Sequence, residues 1–340
     1  MKRHDMVPRP VAVFGLTTAV AVFFWGGVGM VHAQELLVSG YASDTVGRYD
    51  ATSGALLGIL TGASINGPQA LSRGPDGLLY LANEEGDNIL RFDPLTRQFI
   101  DVFVTSGSGG LNNPTAGIFG PDGNFYVASF NTNSILRYNG TTGAFINVFV
   151  APGSGGLNGP DVGIIFGPDG NLYVPSFFNS AVLRYNGSTG AFINVFIGGL
   201  GSQLVQPRTI IFRPDGNVYV SNDGGDKVTR YNATTGALVS TFVTVGSGGL
   251  DGASGMIFAP DGFLYVTSWR TDQVLRYNAN TGAFIDVAVA PGGGLDGPTF
   301  VYWLGDTDVP TVSEWGLASF ALILLSAGTL VLRQRGLSVV

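Results

Sequence analysis

The chain has 340 residues, including 52 glycines, 17 prolines and no cysteine, with 12% charged residues and a formal net charge of −7, where an average soluble domain carries roughly 25% charged residues and about 7% glycine. Between Gln34 and Val309 there are 22 acidic residues against 12 basic ones, with Lys227 the only lysine, so the basic footprint that nucleic acid requires is missing and that partner is excluded. The lack of cysteine removes disulfides, thiolate nucleophiles and cysteine-bound zinc, and because both histidines, His4 and His32, precede Gln34, a chain trimmed there has none for a Ser-His-Asp triad, a general base or a metal ligand.

In chain order, Lys2, Arg3 and Arg9 precede an apolar run from Val11 to Val31, and Val31-His32-Ala33 offers small residues at −3 and −1 of a cut before Gln34. This pattern predicts a secretory signal peptide over residues 1–33. The alternative is an uncleaved signal anchor, since the run is about as long as a membrane span.

From 34 to 309 one unit repeats. Pro-Asp-Gly recurs at Pro75, Pro121, Pro168, Pro214 and Pro260, at spacings of 46, 47, 46 and 46. An Arg followed by Tyr or Phe recurs at Arg48, Arg91, Arg137, Arg184, Arg230 and Arg276. Within one unit the pieces are strand-like: Gly163–Phe166, a Pro-Asp-Gly turn, Leu172–Val174, Ala181–Tyr185, an Asn-Gly and Thr-Gly turn, then Ala191–Phe196. Pro presets the turn angle and Gly supplies the positive one. A fixed period of about 40 to 50 residues with four strands predicts propeller blades.

The ends set the blade count. Leu36 to Leu60 supplies three strands with no innermost one, and Pro298–Trp303 supplies an innermost strand with nothing after it. Joined, they make six blades, the last closed by both termini, which leaves no open sheet edge in the ring. The expected fold is therefore all-β: a six-bladed β-propeller of four-stranded blades, flanked by an N-terminal signal helix and a C-terminal transmembrane helix. From about Leu36 to Leu304 the units resemble NHL-type repeats and the wider six-bladed group that includes gluconolactonase-like proteins and streptogramin lyases. The fold follows from that resemblance, whereas propellers host many unrelated activities.

Comparing the units with one another separates scaffold from site. Seven residues before each repeated Arg, the units carry Tyr41, Glu84, Phe130, Phe177, Asp223 and Trp269. The residue after the loop Pro is Gln69, Thr115, Asp161, Arg208 or Thr299, and the sixth unit has Ala253-Ser254 instead. Both sets vary while their neighbours stay constant, and both belong to the face opposite the Pro-Asp-Gly turns. Tyr41, Glu84, Phe130, Phe177, Asp223, Trp269, Asp161 and Arg208 are the candidate ligand-binding residues, since aromatics beside a few polar groups suit sugar faces or cations. Simpler roles are also open: Asp161 and Arg208 can pair across adjacent blades, and the aromatics can pack the loops. The repeated Arg is expected to clamp a turn carbonyl or the Asp of Pro-Asp-Gly. Glycine-rich Gly153–Gly156 and its copies precede strands, so they lack the context of a dinucleotide fingerprint.

Two functions from different classes follow. One is a non-catalytic exported module that binds a glycan, peptide or envelope protein, with no cofactor. The other is implied by the gluconolactonase-like resemblance: a metal-dependent hydrolase or lyase in which Glu84, Asp161, Asn222 and Asp223, with Asn83 as a further candidate, supply oxygen ligands for Ca²⁺ or Mg²⁺. The catalytic histidine of streptogramin lyases has no equivalent here.

At the C-terminus, Val309 to Gly316 is followed by an apolar stretch to Leu332 and then Arg333-Gln334-Arg335. The stretch from Gly316 is 17 residues, roughly 25 Å as a helix and just enough to span a bilayer. Arg333 and Arg335 belong on the cytoplasmic side, which places the body outside. Pro310, Thr311, Ser313, Glu314, Trp315 and Gly316 resemble the IPTL-CTERM sorting signal of Gram-negative bacteria, with Val309 and Val312 in place of Ile and Leu. That resemblance implies a partner, an exosortase-type membrane protease, which releases or transfers the body.

Overall fold

The structure, a computed structural model, describes residues 34–305. The signal-like run, the sorting-like motif and the apolar tail lie outside the described residues. Among the described residues no helix is long and apolar enough to cross a membrane.

The fold is a six-bladed β-propeller of four-stranded antiparallel sheets. Blade one takes its inner strand from Pro298–Leu304 and its other three from Glu35–Gly40, Thr45–Asp50 and Leu56–Ile59. The closure register pairs Leu36 with Trp303 and Val38 with Val301. Blades two to six follow in chain order as 68–104, 114–150, 165–197, 207–243 and 253–289.

Burial explains why these strands read as apolar runs. Second strands such as Leu172–Ser176 are buried along their whole length, because blades stack face to face on both sides of them, which gives a continuous run and not an alternating one. Outer strands such as Phe192–Ile197 are buried only in their last two residues. Between blades, one aromatic wedge recurs. Tyr80 meets Phe103 and the next blade's Phe119 edge-on at 4.9 and 5.0 Å, and Tyr173 meets Phe196 and Phe212 at 4.8 Å each. The same tyrosines anchor the turns. Tyr80, Tyr126, Tyr173, Tyr219 and Tyr265 each donate to the Asp four residues earlier, in Pro-Asp-Gly, at 2.7–3.0 Å.

The repeated Arg is a clamp, but its main partner lies elsewhere than expected. Arg91 and Arg276 make paired bonds to Asp101 and Asp286 on the outer strand, and Arg137 and Arg184 bond Asn147 and Asn194 there. The Asp of Pro-Asp-Gly stands further off, at 3.5–3.7 Å from Arg91, Arg137 and Arg184. The partner ten residues downstream is directly cross-strand, and so better placed.

The glycine-rich loops are tight turns at Ser108–Gly110, Ser154–Gly156 and Ser247–Gly249. The serine carbonyls accept the hydroxyls of Tyr138, Tyr185 and Tyr277 at 2.7–2.8 Å. Gly155 has a positive φ, and the Phe192 ring covers it so closely that a Cβ would collide; packing, not phosphate binding, requires glycine there.

Blade four departs from the expected Gly163–Phe166 inner strand, which is regular only over Ile165–Phe166. Upstream, the Asp161 carboxylate accepts the N–H of Val162, and Gly163 bridges in parallel to Thr209 of the next blade. The backbone is thus drawn toward blade five. The inner strands surround an apolar axial cavity of about 330 Å³, lined by Ala70, Ala116, Ile164, Ile210, Met256 and Val301 among others.

Candidate functional site

The six positions found by comparing the units are structurally equivalent. Tyr41, Glu84, Phe130, Phe177, Asp223 and Trp269 each follow a second strand, and each donates its own N–H to the carbonyl of the residue just before the loop Pro, or before Ala253 in the unit that lacks it. Those acceptors are Gly297, Gly67, Asn113, Gly159, Gln206 and Gly252, at 2.9–3.0 Å. All six acceptor residues have a positive φ. Each also donates its N–H to a side chain of the preceding blade: Asp272, Asp44, Asp87, Asn133, Ser180 and Asp226, respectively. A constant backbone frame thus holds six side chains of five types around one mouth.

In ring order, Tyr41 and Trp269 are on adjacent blades, as are Phe130 and Phe177, with Glu84 and Asp223 opposite each other between these pairs. Tyr41 and Trp269 meet edge-on at 6.0 Å. The Tyr41 hydroxyl donates to Glu85 at 2.6 Å, and burial, then that acceptor, holds the phenol well above its usual range. Phe130 lies 6.4 Å from Phe177 and 5.6 Å from Phe178, which is 58% exposed.

The two acids have different surroundings. Asp223 is buried and accepts from Arg208 at 3.3 Å and from Arg270 at 2.6 Å. Arg208 also reaches Asp161 at 3.2–3.3 Å, so Asp161 and Arg208 pair across blades four and five. Burial works against the Arg208 charge, but Asp161 and Asp223 outweigh it and hold the guanidinium protonated. Burial pushes the Asp161 carboxyl up, against the pull of Arg208. Glu84 is held instead by amides, accepting from Gln69 Nε2 and from Asn113 Nδ2 at 3.2 Å. Burial pushes its carboxyl up, and the amide bonds offset this only in part.

Tyr41, Gln69, Glu84, Arg208, Trp269 and Thr299 line one cavity of about 210 Å³. Phe130 and Phe177 form a separate cluster with Phe178 across the mouth. Arg270, Asn113 and Phe178 were not among the sequence candidates. The residue after each ring position (Ala42, Glu85, Asn131, Phe178, Gly224, Arg270) varies as much as the ring itself, so extending the comparison by one position finds two of the three.

The proposed metal ligands do not fit a divalent ion. Arg208 fills the space between Asp161 and Asp223 with a fixed positive charge. Asn222 accepts the Val205 N–H through Oδ1 and spends its amide on Val220 and Thr229. Asn83 is likewise spent on Asn66 and Asn88. Glu84 accepts side-chain hydrogen bonds from amides only, and among the described residues no three acidic or histidine side chains converge.

These features define an all-β propeller with a polar and aromatic mouth. No protein-family model matches the chain, and no curated protein does. Solved structures match it in fold. A protein of unknown function from Bacteroides caccae aligns over 80% of this chain and 99% of its own, with a TM-score of 0.62 and 14% identity. A nidogen/laminin complex structure aligns over 79% and 98%, also with a TM-score of 0.62 and 14% identity.

Proposed function

We propose that this chain is a non-catalytic binding module of the cell envelope that uses the Tyr41–Trp269 mouth to hold a glycan, peptide or envelope-protein ligand. The observation that supports this best is the ring itself: six positions with one backbone geometry and five residue types between them, set on a repeated scaffold. The buried acids of the mouth are held by guanidinium or amide donors, an arrangement suited to fixed recognition. That one structure sharing the fold is a nidogen/laminin complex agrees with a binding role. The sequence of the ends supports export by a signal peptide over 1–33. It also supports transient anchoring by the 310–340 tail and sorting by an exosortase-type protease that reads Pro310, Thr311, Ser313, Glu314, Trp315 and Gly316, with Arg333 and Arg335 retained inside.

Glycan arrays and envelope pull-downs with the full-length protein test the binding role. Retention of a ligand, and its loss when Phe130, Phe177 and Trp269 are replaced by Ala, is the expected result; binding unchanged by the triple replacement overturns it. Intact mass in the native host tests the sorting: a mass spanning Met1 to Val340 would exclude both cleavages.

A further inference from the structure

We propose that the cavity bordered by blades one, two, five and six is a site for an alkylammonium group, with Glu84 and Gln69 accepting its N–H donors and Tyr41 and Trp269 forming its aromatic wall. This rests on reading the mouth as a binding surface and names the chemistry of its ligand. The cavity, about 210 Å³, has the volume of about seven waters at roughly 30 Å³ each, enough for an ammonium head and a few methylenes.

The charge balance favours a cation. Glu84, Glu85, Asp161 and Asp223 face only Arg208 and Arg270 around the mouth, and both arginines are spent on Asp161 and Asp223. No cationic side chain pairs with Glu84 among the described residues; its two partners, Gln69 and Asn113, are neutral amides. Arg208 lines the same cavity, but two carboxylates at 3.2–3.3 Å already compensate it.

A second observation specifies N–H donors. Gln69 is 3% exposed, and its Oε1 has no hydrogen-bond partner among the described residues while its Nε2 is committed to Glu84. A buried acceptor left without a donor costs free energy; Gln69 lines this cavity, and a ligand bearing N–H groups satisfies the oxygen, itself closed to solvent, once the side chain shifts toward it. A carboxylate ligand would face Glu84 charge to charge. A quaternary ammonium would gain from the rings but leave the Gln69 oxygen bare. The Thr299 hydroxyl does not compete, because it is donated toward the Pro68 and Ser39 carbonyls. Tyr41 and Trp269 add the aromatic surface to which an ammonium is attracted.

Calorimetric titration of the full-length protein with n-butylammonium, tetramethylammonium and n-butanol tests the assignment. Saturable butylammonium binding at least tenfold tighter than that of the other two is expected, with a tenfold or greater loss in Glu84→Gln and partial retention in Glu84→Asp. Equal binding of butanol or of tetramethylammonium, or an unchanged Glu84→Gln whose unfolding curve shows it folded, overturns it. A peptide with one internal lysine and its Nε-acetyl form separate the sources. Displacement of butylammonium by the lysine form alone assigns the amine to a protein side chain, and no displacement by either assigns it to a small molecule; both keep the proposal. If a ligand found by array or pull-down depends on Phe130, Phe177 and Trp269 but no amine binds, the ammonium assignment fails while the binding module stands.

Discussion

Asn147 and Asn194 occupy positions that two other blades fill with Asp101 and Asp286. Arg91 and Arg276 meet those aspartates through two bonds each, at 2.5–2.9 Å, while Arg137 and Arg184 make one bond of 3.1 Å to the asparagines. Asn147→Asp and Asn194→Asp should therefore complete the fork. Because the position is half exposed, each is expected to add at most about 1 kcal/mol in urea unfolding, and the gain should shrink in high salt. Glu84 gives a prediction of opposite character, in which a mouth residue opposes stability. Burial holds its carboxyl above the usual range, beside Asp161 and Arg208. The folded chain thus keeps this proton to higher pH than the unfolded chain. The contribution of Glu84 is most favourable below the unfolded carboxylate range and is lost as pH rises through the raised value. Glu84→Gln removes that loss, and the Gln69 amide can turn its unpartnered oxygen toward the new N–H₂. The variant should match the parent at about pH 4 and exceed it at about pH 8. Urea midpoints at the two pH values decide this, and a difference that does not grow with pH would contradict it.

Each blade junction is fastened three residues after a ring position. Asp44, Asp87, Asn133, Ser180, Asp226 and Asp272 all have φ between 48° and 55°. Each accepts, through its side chain, the N–H that opens the next blade, at 2.7–3.2 Å. Asp87→Ala removes the 2.7 Å bond to the Asn113 N–H and puts alanine at a φ of 54°, where Asn and Asp are better tolerated. It should cost about 1–3 kcal/mol in denaturant unfolding, whereas Asp87→Asn, which keeps an acceptor and tolerates that φ, should cost a few tenths. Equal losses would show that the acceptor is not what matters. The same junctions show what the sequence could and could not reveal. Strands such as Ala181–Tyr185 and the ring from Tyr41 to Trp269 were legible, because the period repeats and in-blade register follows from spacing. The Asn113–Glu84 bond and the interrupted strand at Asp161–Ile164, drawn toward Thr209 of the next blade, were not. These depend on how one blade leans on the next, and no residue spacing within a unit encodes that angle.

Closure makes the stability of the ring a property of the whole molecule. The strand Pro298–Leu304 is last in the described chain yet innermost in blade one, where it covers Leu36 and Val38, neither of which is exposed at all. It is also tied to both neighbouring blades. The Thr299 hydroxyl reaches the Pro68 carbonyl of blade two at 3.0 Å, and the Thr299 carbonyl accepts from Ser254 of blade six at 2.8 Å. Gly255 lies so close to Phe300 that a Cβ there would sit 2.5 Å from its Cα, so no spare room exists for the strand to shift. Removing Pro298–Leu304 would strip the Glu35–Gly40 strand of its inner partner and open an unpaired edge. It would also separate blades one, two and six, so the effect should spread around the ring. Cooperative unfolding should be lost or its midpoint should fall sharply, and a synthetic peptide covering 297–305, added in trans, should restore part of it by re-pairing with Glu35–Gly40. Thr299→Val is the milder counterpart: it keeps the strand, removes the hydroxyl link to blade two, and should cost about 1–3 kcal/mol while unfolding stays two-state. A deletion variant that melts at the parent temperature with the parent's cooperativity would show that the blades stand independently and that closure stabilises nothing.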